Sequence, residues 1–173
     1  MTTDARAAFS PTRPLHLYLA GEIHTDWRDE IARAIDQARL PIALLAPILD
    51  HDASDGCGEP LLPPAELTDR LRDHLGAGVN GIRSLTLLKM ADVVVARFAC
   101  DADCYPDWTS AFEAGRAAAM GKPLITLHHD VHDHPLKEVD RAALAVTHST
   151  AELVATLAYL FPSGPNPQED EKP

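Results

Sequence analysis

Asp107, Ser110 and Glu113 stand in a segment, DWTSAFEAGRAAAMGKP (107–123), that is otherwise rich in alanine and glycine. Small residues let a backbone approach its neighbours, so an acid among them is either a local structural device or a carboxylate delivered into a confined space. Ser110-x-x-Glu113 has the spacing of a capping box, in which serine caps a helix and glutamate bonds back to the same backbone. The competing reading is a carboxylate presented to a ligand from a helix start, where free N–H groups and a partial positive charge favour an anion. Asp107 also reads as a turn residue after Pro106, and Tyr18 as either core or site. The tract HHDVHDHP (128–135) and the pair Cys100-x-x-x-Cys104 contain metal-ligating residue types. Neither spacing matches a zinc signature, so no metal and no cofactor is expected.

The elements that must position these groups alternate. LHLYLA (15–20) reads as a strand and TDWRDEIARAIDQARL (25–40) as a helix, with Thr25 its expected N-cap and Trp27, Ile31, Ala34, Ile35 and Ala38 its apolar face. IALLA (42–46) follows as a strand, NGIRSLTLLKMA (80–91) as a helix and DVVVARF (92–98) as a strand. The segment around Glu113 is the next helix, closed by Gly121 and Pro123. PLITLH (123–128) and LAVTH (144–148) complete the strands, and TAELVATLAYLF (150–161) is a closing amphipathic helix. Strands that read as continuous apolar runs between helices predict an α/β fold: a doubly wound, flavodoxin-like or Rossmann-like parallel sheet of five strands, order 2-1-3-4-5.

Residues 1–13 read as a flexible N-terminal arm, 14–161 as the domain and 162–173, PSGPNPQEDEKP, as a disordered acidic tail. The stretch 47–79 is too long for a plain connection and reads as a partly helical insertion over the sheet edge, a candidate lid.

Open α/β sheets bind ligands at the carboxyl ends of the strands where the strand order reverses, here between the first and third strands. Gly21, Glu22 and His24 come to that crevice from the loop at 20–28, and Asp107, Ser110 and Glu113 from the loop and helix start at 99–113. Gly21 permits a close backbone approach. His51, Asp52 and Asp55 of the insertion are expected to face a ligand, with Asp73 a further candidate.

Bulk properties narrow the partner. Fifteen Lys plus Arg against 26 Asp plus Glu give a net charge of −11, a poor match to a nucleic-acid backbone that leaves single nucleotides open. No apolar run approaches the roughly 18 residues of a membrane span, and MTTDARAAFSPTRP shows no signal-peptide core. Three cysteines in no framework spacing fit a reduced, cytoplasmic setting.

Taken together, YLAGEIHTDWRDEI (18–31), HDASD (51–55) and KMADVVVARF (89–98), with Trp108 and GKPLI (121–125), resemble the YtoQ family of the nucleoside 2-deoxyribosyltransferase-like superfamily, over roughly residues 15–161. Tyr18-Leu19-Ala20-Gly21 is similar to the Tyr-x-x-Gly entry of those enzymes, and Asp107 to Gly115 to their Asp-x-Gly-Thr-x-x-Glu-x-Gly motif. Thr109 and Ser110 stand where that motif has Gly and Thr, and Glu22 where a proline often follows. The resemblance implies Glu113 as the nucleophile at a sugar anomeric carbon, Asp107 as the partner of the base and Tyr18 as the orienter of Glu113. It implies a nucleoside or nucleotide as substrate and a homo-oligomer that completes each site from a neighbouring subunit. A helix start would then lower the Glu113 pKa and hold it ionised. The alternative from another class is a nucleotide-binding or sensing domain with this fold and without the chemistry.

Overall fold

The computed structural model describes residues 13–61, 68–99 and 108–161. The arm (except Arg13), the acidic tail, Asp107, Cys100 and Cys104 lie outside these residues. Five strands, β1 (Leu15–Ala20), β2 (Ile42–Leu45), β3 (Val93–Arg97), β4 (Leu124–Leu127) and β5 (Ala145–Thr147), form one sheet in the order β2-β1-β3-β4-β5. Every pairing is parallel. Both the fold class and the strand order are those expected from the sequence.

The alternation of side chains along a strand sorts the core into two layers. Leu17 and Leu19 of β1 face the layer built with α1 (Trp27–Gln37) and α6 (Thr150–Ala158). Tyr18 and Ala20 face the other, with Leu88 of α3 (Asp69–Met90) and Ala114 and Ala117 of α4 (Trp108–Ala119). Tyr18 therefore leaves the sheet on the side of the helix that carries Glu113. Ala114 and Ala117 are almost wholly buried and let α4 sit close to the sheet, whereas Gly115 is exposed and a Cβ there would meet nothing within 4 Å. Gly121 has φ +68°, the left-handed conformation that ends α4.

Two local expectations are corrected, and the structure adds a helix that no reading named. Asp26, not Thr25, occupies the N-cap of α1, without a side-chain cap bond, because the Thr25 hydroxyl is turned to the Glu22 carboxylate. The helix read at 80–91 begins eleven residues earlier, at Asp69, behind the cap Thr68, so the insertion contains half of α3. Its glycines look like loop signals, yet Gly76 is buried where a Cβ would lie 2.7 Å from the Asp55 carbonyl of α2 (His51–Gly56). Tertiary packing of α2 on α3, not backbone freedom, calls for glycine there. Finally, the His-rich tract opens a helix, α5 (Asp133–Ala142), whose Leu136 and Val139 pack on the Tyr18 layer. Pro135 in its first turn lacks an N–H where none is needed.

Candidate active site

The β1–α1 loop, α2, α3 and α4 enclose a cleft of about 600 Å³, the size of a small-molecule site. It opens where the order reverses between β1 and β3. Gly21, Glu22, His24, His51, Asp55, Asp73, Ser110 and Glu113 all line it. Asp52 is exposed and does not, and Asp107 is outside the described residues.

Glu113 is the group whose surroundings are most specialised. It is 4% exposed, in the second turn of α4. The fully buried Tyr18 donates its hydroxyl to Glu113 Oε1 at 3.0 Å. Ser84 of α3 also lines the cleft, and its hydroxyl favours the ionised form of both groups. Burial raises the Glu113 pKa, against the opposing pull of Ser84, Tyr18, Arg28 and Arg116. The expected lowering by a helix start is therefore overturned: a helix terminus acts within its first turn, and desolvation prevails beyond it. The capping box is overturned too, because Ser110 is the third residue of α4 and 2% exposed, inside the helix and not at its cap. Burial and the neighbouring Glu113 charge likewise push the Tyr18 phenol far up, so it remains a proton donor.

The loop after β1 is fixed from beneath. Arg28, 5% exposed, donates to the carbonyl oxygens of Leu19, Gly21 and Glu22. Burial lowers its pKa to about 10, still cationic at neutral pH. Trp27 donates to the Glu22 carbonyl at 3.1 Å. A Cβ on Gly21 would lie 2.5 Å from the Trp27 ring, so the close approach that needs glycine is to this tryptophan. Burial raises the Glu22 pKa, but bonds from Thr25 and the His24 amide and the ion pair with Arg97 at 2.9 Å bring it below the ordinary value. The His24 and His51 rings meet edge to face at 5.5 Å across the cleft mouth, and His51 lies 3.6 Å from Asp55.

Sequence reasoning missed the α3 wall. Asn80 donates to the carbonyl and hydroxyl of Ser54, tying α3 to α2, while Arg83 and Ser84 face the cleft. Arg116 of α4 lies over the Phe112 ring at 4.1 Å. Once α3 is known to start at Asp69, the helical spacing Asp73, Gly76, Ala77, Asn80, Ser84 identifies this face. Among the described residues, the cleft holds no trio of His, Cys or carboxylate ligands close enough to share a metal ion; the one such trio lies at the ends of β4 and β5. A buried carboxylate flanked by two hydroxyls in a walled cleft can stabilise a developing positive charge or form an ester with an electrophilic carbon.

A family model described as nucleoside 2-deoxyribosyltransferase YtoQ matches residues 18–161. The chain is 36% identical over 145 residues to the uncharacterized protein YtoQ of Bacillus subtilis (strain 168), covering 84% of this chain and 95% of that protein. Among solved structures it is similar to a 2-deoxyribosyltransferase from Bacillus psychrosaccharolyticus, at 18% identity and TM-score 0.48 over 82% of this chain and 95% of the other. It is also similar to the Clostridium botulinum CMP N-glycosidase BcmB, at 14% identity and TM-score 0.38 over 84% and 99% of the two chains.

Proposed function

The chain belongs to the nucleoside 2-deoxyribosyltransferase YtoQ family, and on that footing we propose that it cleaves or exchanges the N-glycosidic bond of a nucleoside or nucleotide, with Glu113 as nucleophile. The observation that carries this reading is the Tyr18–Glu113–Ser84 cluster on the wall of the switch-point cleft. The anomeric carbon–nitrogen bond breaks with its electron pair leaving on the base, and the sugar develops oxocarbenium character that the carboxylate stabilises. A Glu113 oxygen then bonds to the anomeric carbon. Water, or a second base, displaces it and restores the carboxylate. The departing base needs a proton, and Asp107 is our choice for the donor. Tyr18 holds Glu113 in one orientation and remains protonated throughout. Gly21, Glu22, His24, His51, Asp55, Asp73 and Ser110 are the proposed ligand contacts.

Incubation with a panel of nucleosides and nucleotides, followed by chromatography for released bases, tests the reaction. No base released or exchanged from any of them would reject it. One observation favours a second reading, a non-catalytic nucleotide-binding domain: burial biases Glu113 toward its neutral form, which is no nucleophile. Glu113→Ala separates the two, abolishing turnover under the first and leaving ligand affinity nearly intact with no turnover to lose under the second.

We further propose a homo-oligomer. Trp108 and Phe112, one turn apart on α4, are 78% and 59% exposed, and Phe112 borders the cleft, exposed apolar surface that favours cover by a second copy. Sedimentation showing only monomer at micromolar concentration under active conditions would reject this.

A further inference from the structure

We propose that His128, Asp133 and His148 form a site for a divalent first-row metal ion of the zinc type, apart from the cleft. The three residues come from separate places: the end of β4, the start of α5 and the turn after β5. One ligand atom from each lies within 4.8 Å of the other two. None of the three lines the cleft.

The His128 ring is completely buried. Its Nε2 lies 3.0 Å from Asp140 Oδ1, and its Nδ1 lies 3.0 Å from the His129 carbonyl oxygen. Both ring nitrogens thus face oxygens that can only accept. A neutral imidazole carries one N–H, so when one nitrogen donates, the other presents a lone pair. The Asp140 carboxylate also accepts from the Thr126 hydroxyl at 2.8 Å, which fixes it as the acceptor for His128 Nε2–H. This carboxylate–histidine pairing is the arrangement that orients imidazole ligands of metals and leaves the opposite nitrogen basic. That opposite nitrogen, Nδ1, is 3.9 Å from Asp133 Oδ1.

His148 closes the group from β5, its ring 5.4 Å from that of His128. Its own Nδ1 faces two acceptors, the His128 carbonyl and Asp130 Oδ1 at 3.3 Å. Two imidazoles and a carboxylate suit zinc and its neighbours and not magnesium or calcium, which prefer all-oxygen shells. Metal–ligand bonds of about 2.0–2.2 Å require the donors to draw together from their present spread. Asp133 is 63% and His148 35% exposed, so both have room to do so around the fixed His128. The bound ion would clamp the ends of β4 and β5 to α5, a structural role. The sequence hid the site because His148 falls well after the His-rich tract, beyond any short ligand spacing.

The test uses untagged full-length protein stripped with chelator and titrated with zinc, read by bound metal after dialysis and by thermal midpoint. We expect one zinc per chain and a midpoint that rises with zinc and falls again on chelation. His148→Ala and Asp133→Ala change exposed residues, spare the buried ring, and should each weaken zinc by roughly tenfold or more, the scale of loss known for metal-site partners. The double variant His129→Ala/His134→Ala removes the two exposed histidines of the same tract and should bind as the parent does. Absence of saturable zinc binding would overturn the proposal. Equal weakening in the His129/His134 variant would overturn it in favour of unspecific surface binding.

Discussion

Replacing Glu113 by Gln keeps the size of the side chain and an oxygen for the Tyr18 hydroxyl, and removes the charge. The carboxylate is 4% exposed, so water does not screen it from a sugar in the cleft, and the Tyr18 hydroxyl fixes it before any substrate arrives. A preorganised group in such a setting is worth about 100- to 1,000-fold in rate when a single one is removed. A loss of about 100-fold corresponds to roughly 2.7 kcal/mol of transition-state stabilisation. Base release measured by chromatography under saturating nucleoside should therefore fall by about 100-fold or more, with ligand affinity altered little. The same substitution makes an independent prediction about stability. Burial raises the folded-state pKa of Glu113, so the folded protein favours the neutral acid, and ionisation costs stability as pH rises from the unfolded-state value through the folded one. Gln carries no such cost. The variant should melt above the parent at pH 8 and lose that advantage near pH 4, as followed by thermal denaturation across pH. Near-normal turnover would refute the nucleophile, and a melting difference independent of pH would refute the electrostatic account of the buried acid.

Other perturbations read different parts of the molecule. The pH profile of kcat/KM should show an acid limb above the ordinary glutamate range, since the proposed attack requires Glu113 without its proton; Tyr18→Phe removes a bond that lowers the Glu113 pKa, so that limb should move still higher, and a limb unmoved by the variant would separate Tyr18 from Glu113. Gly21→Ala should destabilise by about 1–3 kcal/mol, read from denaturant melts, because its Cβ would stand 2.5 Å from the Trp27 ring. The hydrogen bond from Arg13, joined by the His16 amide, lowers the Asp92 pKa to about 2. That stabilisation is present above the ordinary aspartate value and disappears as pH falls through about 2, so the stability gap between Asp92→Asn and the parent should be open at neutral pH and closed at pH 2.

The sheet was legible because its signal is local. LHLYLA, DVVVARF and PLITLH are short apolar runs bounded by polar residues, and their connections admit few parallel arrangements. Much of the cleft followed, since a switch point is a property of strand order and needs no side-chain detail. What stayed hidden depends on contacts between segments far apart in the chain. The first half of α3 falls in a glycine-bearing stretch that reads only as a partly helical insertion, and only the presence of α2 against Gly76 shows why a helix needs glycine there. Without that half-helix, Asn80 and Ser84 of the expected helix lacked the preceding turns, with Asp73, Gly76 and Ala77, that align them into one wall of the cleft.

The case of Glu113 goes one step further. Its position in the sequence suits a cap, and its chemistry suits an ionised group at a helix start; both follow from local rules, and both are overturned by burial. An acid enclosed by Tyr18, Ser84 and the packed face of α4 lowers stability whenever it ionises, and an apolar residue of similar size would fold more readily there. Local preference, packing and electrostatics agree along most of this chain and disagree at this carboxylate. Such disagreement concentrates at functional sites, where a perturbed titratable group in a cleft is retained against the preference of the fold, and it supports the role proposed for Glu113.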